Sequence, residues 1–336
     1  MFQNVMAQTV PSWVTNADSF YDKSIYLAIS GVGTSREMAE RNALANIAGF
    51  FELSIDVELI NINEFQSVIR NNASDWIEKS YMENYIRTTS SIDLLLGVEV
   101  RETWHDARNN EFYALAVMEK ARTAQVYREI IHSNMAVIAF LTTMNQTEKN
   151  SLDGVMRYHL AATAADNNET YGRIIRLLDE APPEGIVSGT YYRLEAQNIM
   201  KAIPVRINVQ NDRAGRIQGI FARIISSHGF LISGNNPRYE FNVNISLSPV
   251  QDFPDSRMEW VRISLDANFI DIITGTILLP YNFYDRRFGH ITMAGAENLA
   301  FQNAENIINN GLTEQNMEIP GFSDYFSVFL SNFISE

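Results

Sequence analysis

No cysteine occurs in the 336 residues, and that gap removes disulfides, thiolate zinc sites, iron–sulfur clusters and cysteine nucleophiles together. Positive charge is also scarce. The 26 basic side chains against 40 acidic ones leave a net charge of −14, which opposes a general nucleic-acid or anionic-membrane binder, whose affinity needs a positive surface. Long apolar runs are missing too: the least charged stretch, between Glu129 and Glu148, is diluted by Asn134, Thr142, Thr143, Asn145 and Gln146, well short of the roughly 20 apolar residues that span a bilayer. Met1 to Val14 has no basic stretch followed by an apolar run, so it does not read as a secretory signal. An exported lipoprotein would carry its anchoring cysteine ahead of Met1. What remains is 46% apolar and 20% charged, ample for ordinary cores in two or three folding units at roughly 100–200 residues each.

The periodicities divide the chain into an N-terminal extension (1–19), a first α+β domain (20–120), a helical connector (121–200), a second α+β domain (201–312) and a C-terminal aromatic helix (313–336). The fold class expected is therefore α+β, with antiparallel or mixed sheets. In the first domain, Ile25 to Ile29 reads as a strand closing on Gly31-Val32-Gly33. Thr34 and Glu37 have the spacing of a capping box, and Ala39, Ala43, Leu44, Ile47, Ala48 and Phe51 recur at helical spacing on a small-residue face. Ser54 to Leu59 alternates as a strand, and Phe65 to Tyr85 looks helical with Trp76 and Ile77 inward. Val98 to Trp104 and Phe112 to Met118, split by the polar cluster Asp106 to Asn110, predict an antiparallel hairpin. Val126, Ile130, Ile131, Met135, Ile138 and Leu141 form one stripe of the connector. In the second domain Pro204 to Asn211 is a strand and Arg213 to Ser227 a helix ended by Gly229. Tyr239 to Leu247 and Val261 to Phe269 alternate with period two, and Thr274-Gly275-Thr276 is a hairpin turn.

Two segments carry a resemblance. The strand ending in Gly31-Val32-Gly33, the helix with Ala39, Ala43 and Ala48, the strand after Ser54, then Glu102-x-Trp104-x-Asp106 and Tyr113 to Ala116 together resemble the Lpp-twenty lipoprotein family and the related N-terminal domain of the flagellar H-ring protein T. Asp271 to Leu278 after an alternating strand is similar to envelope domains of the TolB N-terminal and curli-secretion lipoprotein type. The resemblance implies a periplasmic or outer-membrane-associated, non-enzymatic bacterial component, lipid-anchored in its precursor. Its partners would be other envelope proteins or further copies of itself, and it supplies no catalytic residues.

Other constellations carry less chemistry. Gly31-Val32-Gly33-Thr34-Ser35 follows a strand and opens a helix, a place for an anion, but it lacks the third glycine of a dinucleotide fingerprint and the Gly-Lys-Ser/Thr of a P-loop. His105, His132, His159, His228 and His290 fall in different elements without helical metal spacing, and neither GxSxG nor HExxH occurs. Neither cofactor nor metal is expected. Arg213, Arg216 and Arg223 share one helical face, with Arg286-Arg287 beyond. They are candidate contacts for an anion or an acidic partner, the alternative being a solvated face or pairing with local acids. The C-terminal stripe of Phe322, Tyr325, Phe326, Phe329, Leu330 and Phe333 needs a covering surface, either a partner protein or its own chain. It lacks the basic face used on anionic lipid. The rival functional reading is an enzyme or small-ligand receptor using an interdomain cleft.

Overall fold

A computed structural model describes residues 9–54, 96–250, 257–314 and 317–335. In chain order the elements are α1 (Ser12–Thr15), β1 (Tyr26–Gly33), α2 (Arg36–Ser54), β2 (Val98–Asp106), β3 (Glu111–Glu119), α3 (Lys120–Thr142), α4 (Gln146–Lys149), α5 (Leu152–Leu177) and α6 (Gly189–Ala202). Then come β4 (Pro204–Gln210), α7 (Arg216–Ser227), β5 (Leu231–Ile232), β6 (Tyr239–Pro249), β7 (Glu259–Asp271), β8 (Ile277–His290), α8 (Met293–Asn310), β9 (Leu312–Glu314), β10 (Met317–Ile319) and α9 (Phe322–Ser335). The class is α+β. Beyond Ser54, which ends α2, the expected strand to Leu59 and the helix with Trp76 and Ile77 lie outside the described residues.

Two compact units divide the chain: residues up to Thr142 with Leu160–Tyr191, and Thr143–His159 with Tyr192–Glu336. The segment expected as a connector supplies helices to both. Helix α3 and the later part of α5 belong to the first unit, while Leu152, Val155 and Tyr158 of α5 and Ala196 and Ile199 of α6 enter the second core.

The first unit centres on an antiparallel sheet in the order β1-β3-β2. Its middle strand is buried on both faces, so Ala114 to Met118 form an unbroken apolar run. Ala114, Ala116 and Met118 meet α2 and α3, while Leu115 and Val117 meet Trp13 of α1. The predicted N-terminal extension thus contributes a core tryptophan. The glycines of β1 let α2 lie unusually close: a Cβ on Gly31 would fall 2.1 Å from the Ala43 nitrogen and 2.6 Å from the Ala39 carbonyl oxygen. Asn42 and Asn46 of α2 then donate to the carbonyls of Val32 (2.8 Å) and Ser30 (3.0 Å). The helix is capped by Ser35, whose Oγ accepts from the Met38 N–H at 3.2 Å. The expected Thr34–Glu37 box is displaced by one residue, and the Thr34 hydroxyl instead faces the Met38 sulfur.

The second unit holds a mixed sheet in the order β5-β4-β6-β7-β8, parallel among the first three strands and antiparallel thereafter. Alternation decides its faces: Tyr239, Phe241, Val243 and Ile245 are buried while Asn244 and Ser246 are exposed. Helix α9 packs into this core. The Phe322 ring lies 4.8 Å from Phe221, 5.0 Å from Phe241 and 5.1 Å from Tyr281, and Phe326 lies 5.5 Å from Phe269. Phe322 and Phe326 are fully buried, with Tyr325, Phe329 and Phe333 partly buried against the same cluster. The candidate partner surface is thus covered by its own chain, the alternative the sequence leaves open: Phe322 and Phe326 are core, and Tyr325, Phe329 and Phe333 pack against it part-buried. Rings this large stabilise far more by burial, roughly 1.5–3 kcal/mol each, than they could left in water, and a sheet of the same chain supplies the cover. At the far edge, β8 carries Pro280, a register shift opposite Ser264 where Asp285 takes a φ of 57°, and the Arg286-Arg287 doublet.

Candidate functional site

The candidate arginines all turn toward α8. Arg213 pairs with Glu297 and Arg216 with Glu305, while Arg223 Nη2 donates to Asn309 Oδ1 at 3.1 Å. The spacing that puts three guanidinium groups on one face of the α7 region also matches the spacing of acceptors along α8. Their partners are thus local side chains, and they tie two helices of one unit together, the alternative weighed from the sequence.

Arg213 nevertheless borders an open cleft of about 560 Å³, lined by Asn211, Asp212, Asn244, Ser246, Leu247 and Glu297 among others. Its floor is set by the end of β4. Asn211, with a φ of 61°, turns the chain away from the sheet, and its Nδ2 donates to the Ile245 carbonyl at 2.9 Å. The Asp212 carboxylate accepts from the N–H groups of Ile217 (3.2 Å) and Gln218 (2.9 Å), occupying the start of α7.

At the opposite end of the same sheet sits a feature the sequence reading missed. Arg238 and Asp271 form a bidentate pair at 2.6 and 2.7 Å, with side chains 15% and 10% exposed. Asp271 Oδ1 also accepts from the N–H groups of Ile273 (2.8 Å) and Thr274 (3.1 Å). One carboxylate therefore fixes both β6's entry and the β7–β8 turn, with charge-assisted bonds of the stronger kind. The turn presents Ile272, Ile273 and Ile277 at 39%, 62% and 54% exposure, and Leu231 and Ile232 are exposed on the strand at that end of the sheet. The signal was present as an Asp-x-x-Thr-Gly turn flanked by aliphatics, but nothing in the sequence distinguishes a presented isoleucine from a buried one. Nearby, the Tyr239 hydroxyl accepts from the Leu152 N–H at 2.9 Å, and burial lifts the half-buried Asp153 carboxyl to about 6.

The remaining candidates carry no assembled chemistry. Gly31 and Gly33 serve the close approach of α2. His105 stacks on Phe112 at 4.2 Å, His228 bonds the Ile224 carbonyl at the end of α7, and His290, which ends β8, accepts from the Thr292 N–H just ahead of α8. Among the described residues no group of three or more metal-ligating side chains converges, and no helix is long and apolar enough to cross a membrane.

No protein-family model matches the chain, and no curated protein does. Among solved structures it is similar to the secreted protein HP1454 from the human pathogen Helicobacter pylori, at 14% identity over 84% of this chain and 96% of that one, with a TM-score of 0.38. It is also similar to a protein from Caulobacter crescentus CB15 assigned as a lipoprotein, at 11% identity over 39% of this chain and 88% of that one, with a TM-score of 0.22. The neighbours are thus a secreted protein and an assigned lipoprotein, at TM-scores too low for either to carry a shared fold.

Proposed function

We propose that this chain is an exported, non-catalytic component of the bacterial cell envelope that works by binding another envelope protein. The observation that carries the binding part is the aliphatic end of the second unit's sheet, where the Arg238–Asp271 pair holds Ile272, Ile273 and Ile277 exposed. Apolar groups presented by a rigid turn are a partner-surface feature. Because Arg238 and Asp271 neutralise each other, the surface suits an apolar partner rather than a charged one. The compartment is supported by the resemblance of 20–120 to the Lpp-twenty family and of the 271–278 hairpin to envelope domains.

The test combines fractionation with site-specific photo-cross-linking at Ile273 in the producing cell. We expect envelope localisation and a discrete adduct with an envelope protein that disappears in Ile277→Asp. Cytosolic fractionation of the native gene product, or cross-linking unchanged by that substitution, defeats the reading.

A further inference from the structure

We infer that the second unit receives an extended peptide segment of its partner as an added β-strand along the unpaired half of β6, in the cleft beyond the end of β4. Strand β6 pairs with β7 over its whole length, from Tyr239 opposite Asp271 to Pro249 opposite Val261. On its other side, pairing with β4 stops at Gln210 opposite Asn244, because Asn211 turns the chain away. Among the described residues no strand pairs with Ile245 to Pro249 on that side.

Three observations fix which backbone groups face the opening. Along a strand, the N–H and C=O of alternate residues point to opposite edges. The Ile245 carbonyl accepts from Asn211, so the odd-numbered residues face the cleft. The Val250 N–H donates to Trp260 of β7 at 2.9 Å, so the even-numbered ones face β7. Pro249, which has no N–H, falls on the odd side, where β7 asks nothing of it. The Leu247 N–H and C=O and the Pro249 C=O therefore aim into the cleft, set for a ladder that β4 does not complete.

The lining names the kind of segment. Residues from both faces of β6 border the cleft, with Ile245 and Leu247 on the buried face and Asn244 and Ser246 on the exposed one, which places the opening at the strand's edge. On the apolar side Phe301 adds to Ile245 and Leu247, while on the polar side stand amide and hydroxyl groups. A segment that alternates apolar and polar residues matches both faces. Asp212 and Glu297 against Arg213 leave the lining one negative charge in excess, so basic polar positions are favoured over acidic ones. Of the sheet's two margins, β8 is obstructed by Pro280 and the irregularity at Asp285, and β5 is only two residues long, so neither offers as long a regular edge as the unpaired half of β6.

The inference rests on the protein-binding reading, yet its test uses neither the compartment nor the isoleucine turn, so each can fail alone. Residue-resolved hydrogen exchange of the full chain is measured alone and with a blocked seven-residue peptide of alternating valine and lysine. In the free protein the Leu247 amide exchanges faster than those of Ser246 and Ser248. The peptide slows it by about tenfold or more. A glutamate-for-lysine version protects less, and a version N-methylated on the pairing edge does not protect. Leu247 already slow in dilute free protein would mean that another part of this chain covers the edge, and protection rising with protein concentration alone would mean a second copy does. Either outcome overturns the proposal, as does an unchanged Leu247 rate at millimolar peptide.

Discussion

In each unit a helix lies on a sheet, and the two interfaces are built from opposite ends of the size scale. Helix α2 meets β1 through Ala39 and Ala43 over Gly31, close enough for Asn42 and Asn46 to bond the strand's carbonyls. Helix α9 meets β6 and β7 through Phe322 and Phe326, stacked among Phe221, Phe241 and Phe269. One interface is tight because side chains are left out, the other because they fill the space. Both reach dense packing, so the same change of volume has opposite meaning in the two places.

The largest effect is expected from Phe326→Ala, which removes a fully buried ring and costs about 3–5 kcal/mol, read as a lowered denaturant midpoint for exchange in β6 and β7. A loss below about 1 kcal/mol would show that the aromatic interface collapses onto the gap instead of depending on the ring. Next comes the reverse change. Gly31→Ala adds one methyl against the Ala43 and Ala39 backbones and is expected to cost about 1–3 kcal/mol, since overpacking forces the helix outward; a midpoint equal to the parent's would erase the contrast. The smallest effect sharpens it electrostatically, because the second unit also withdraws a carboxylate from water. Burial raises Asp153 to about 6, helped by Glu148 and opposed by Arg157 and Arg238. The native state then holds that proton more tightly than the unfolded chain does, so stability falls as pH climbs through roughly 4–6 and the cost is complete above that window. Asp153→Asn should therefore be more stable than the parent at pH 7 and lose that advantage near pH 4, as thermal unfolding across the range will report. An advantage independent of pH would assign the gain to some other cause.

Much of this contrast is legible in the sequence. Ala39, Ala43 and Ile47 at helical spacing after a glycine-bearing strand announce a close helix–sheet contact, and the alternation of Tyr239, Phe241, Val243 and Ile245 announces one buried face. The 98–118 hairpin and the turn at Thr274-Gly275-Thr276 follow from their polar and glycine-bearing breaks. What covers a stripe is another matter. The periodicity of Phe322, Phe326 and Leu330 is the same whether a partner or the chain's own sheet lies above it, and only tertiary placement separates the two. Arg213 and Arg216 illustrate the same gap, since their partners Glu297 and Glu305 lie more than eighty residues away in sequence. Likewise, that β4 stops five residues short of β6 depends on a single left-handed asparagine. The cap at Ser35, in place of Thr34, shows how a one-residue shift hides among neighbouring hydroxyls.

Strand β8 brings a different consequence. A fourteen-residue strand at a sheet margin is a template against which a strand of another molecule can pair. Pro280, the kink at Asp285 and the paired positive charges of Arg286 and Arg287 interrupt that template at three heights. In a crowded compartment such interruptions oppose the pairing of β8 in one copy with a sheet edge of another.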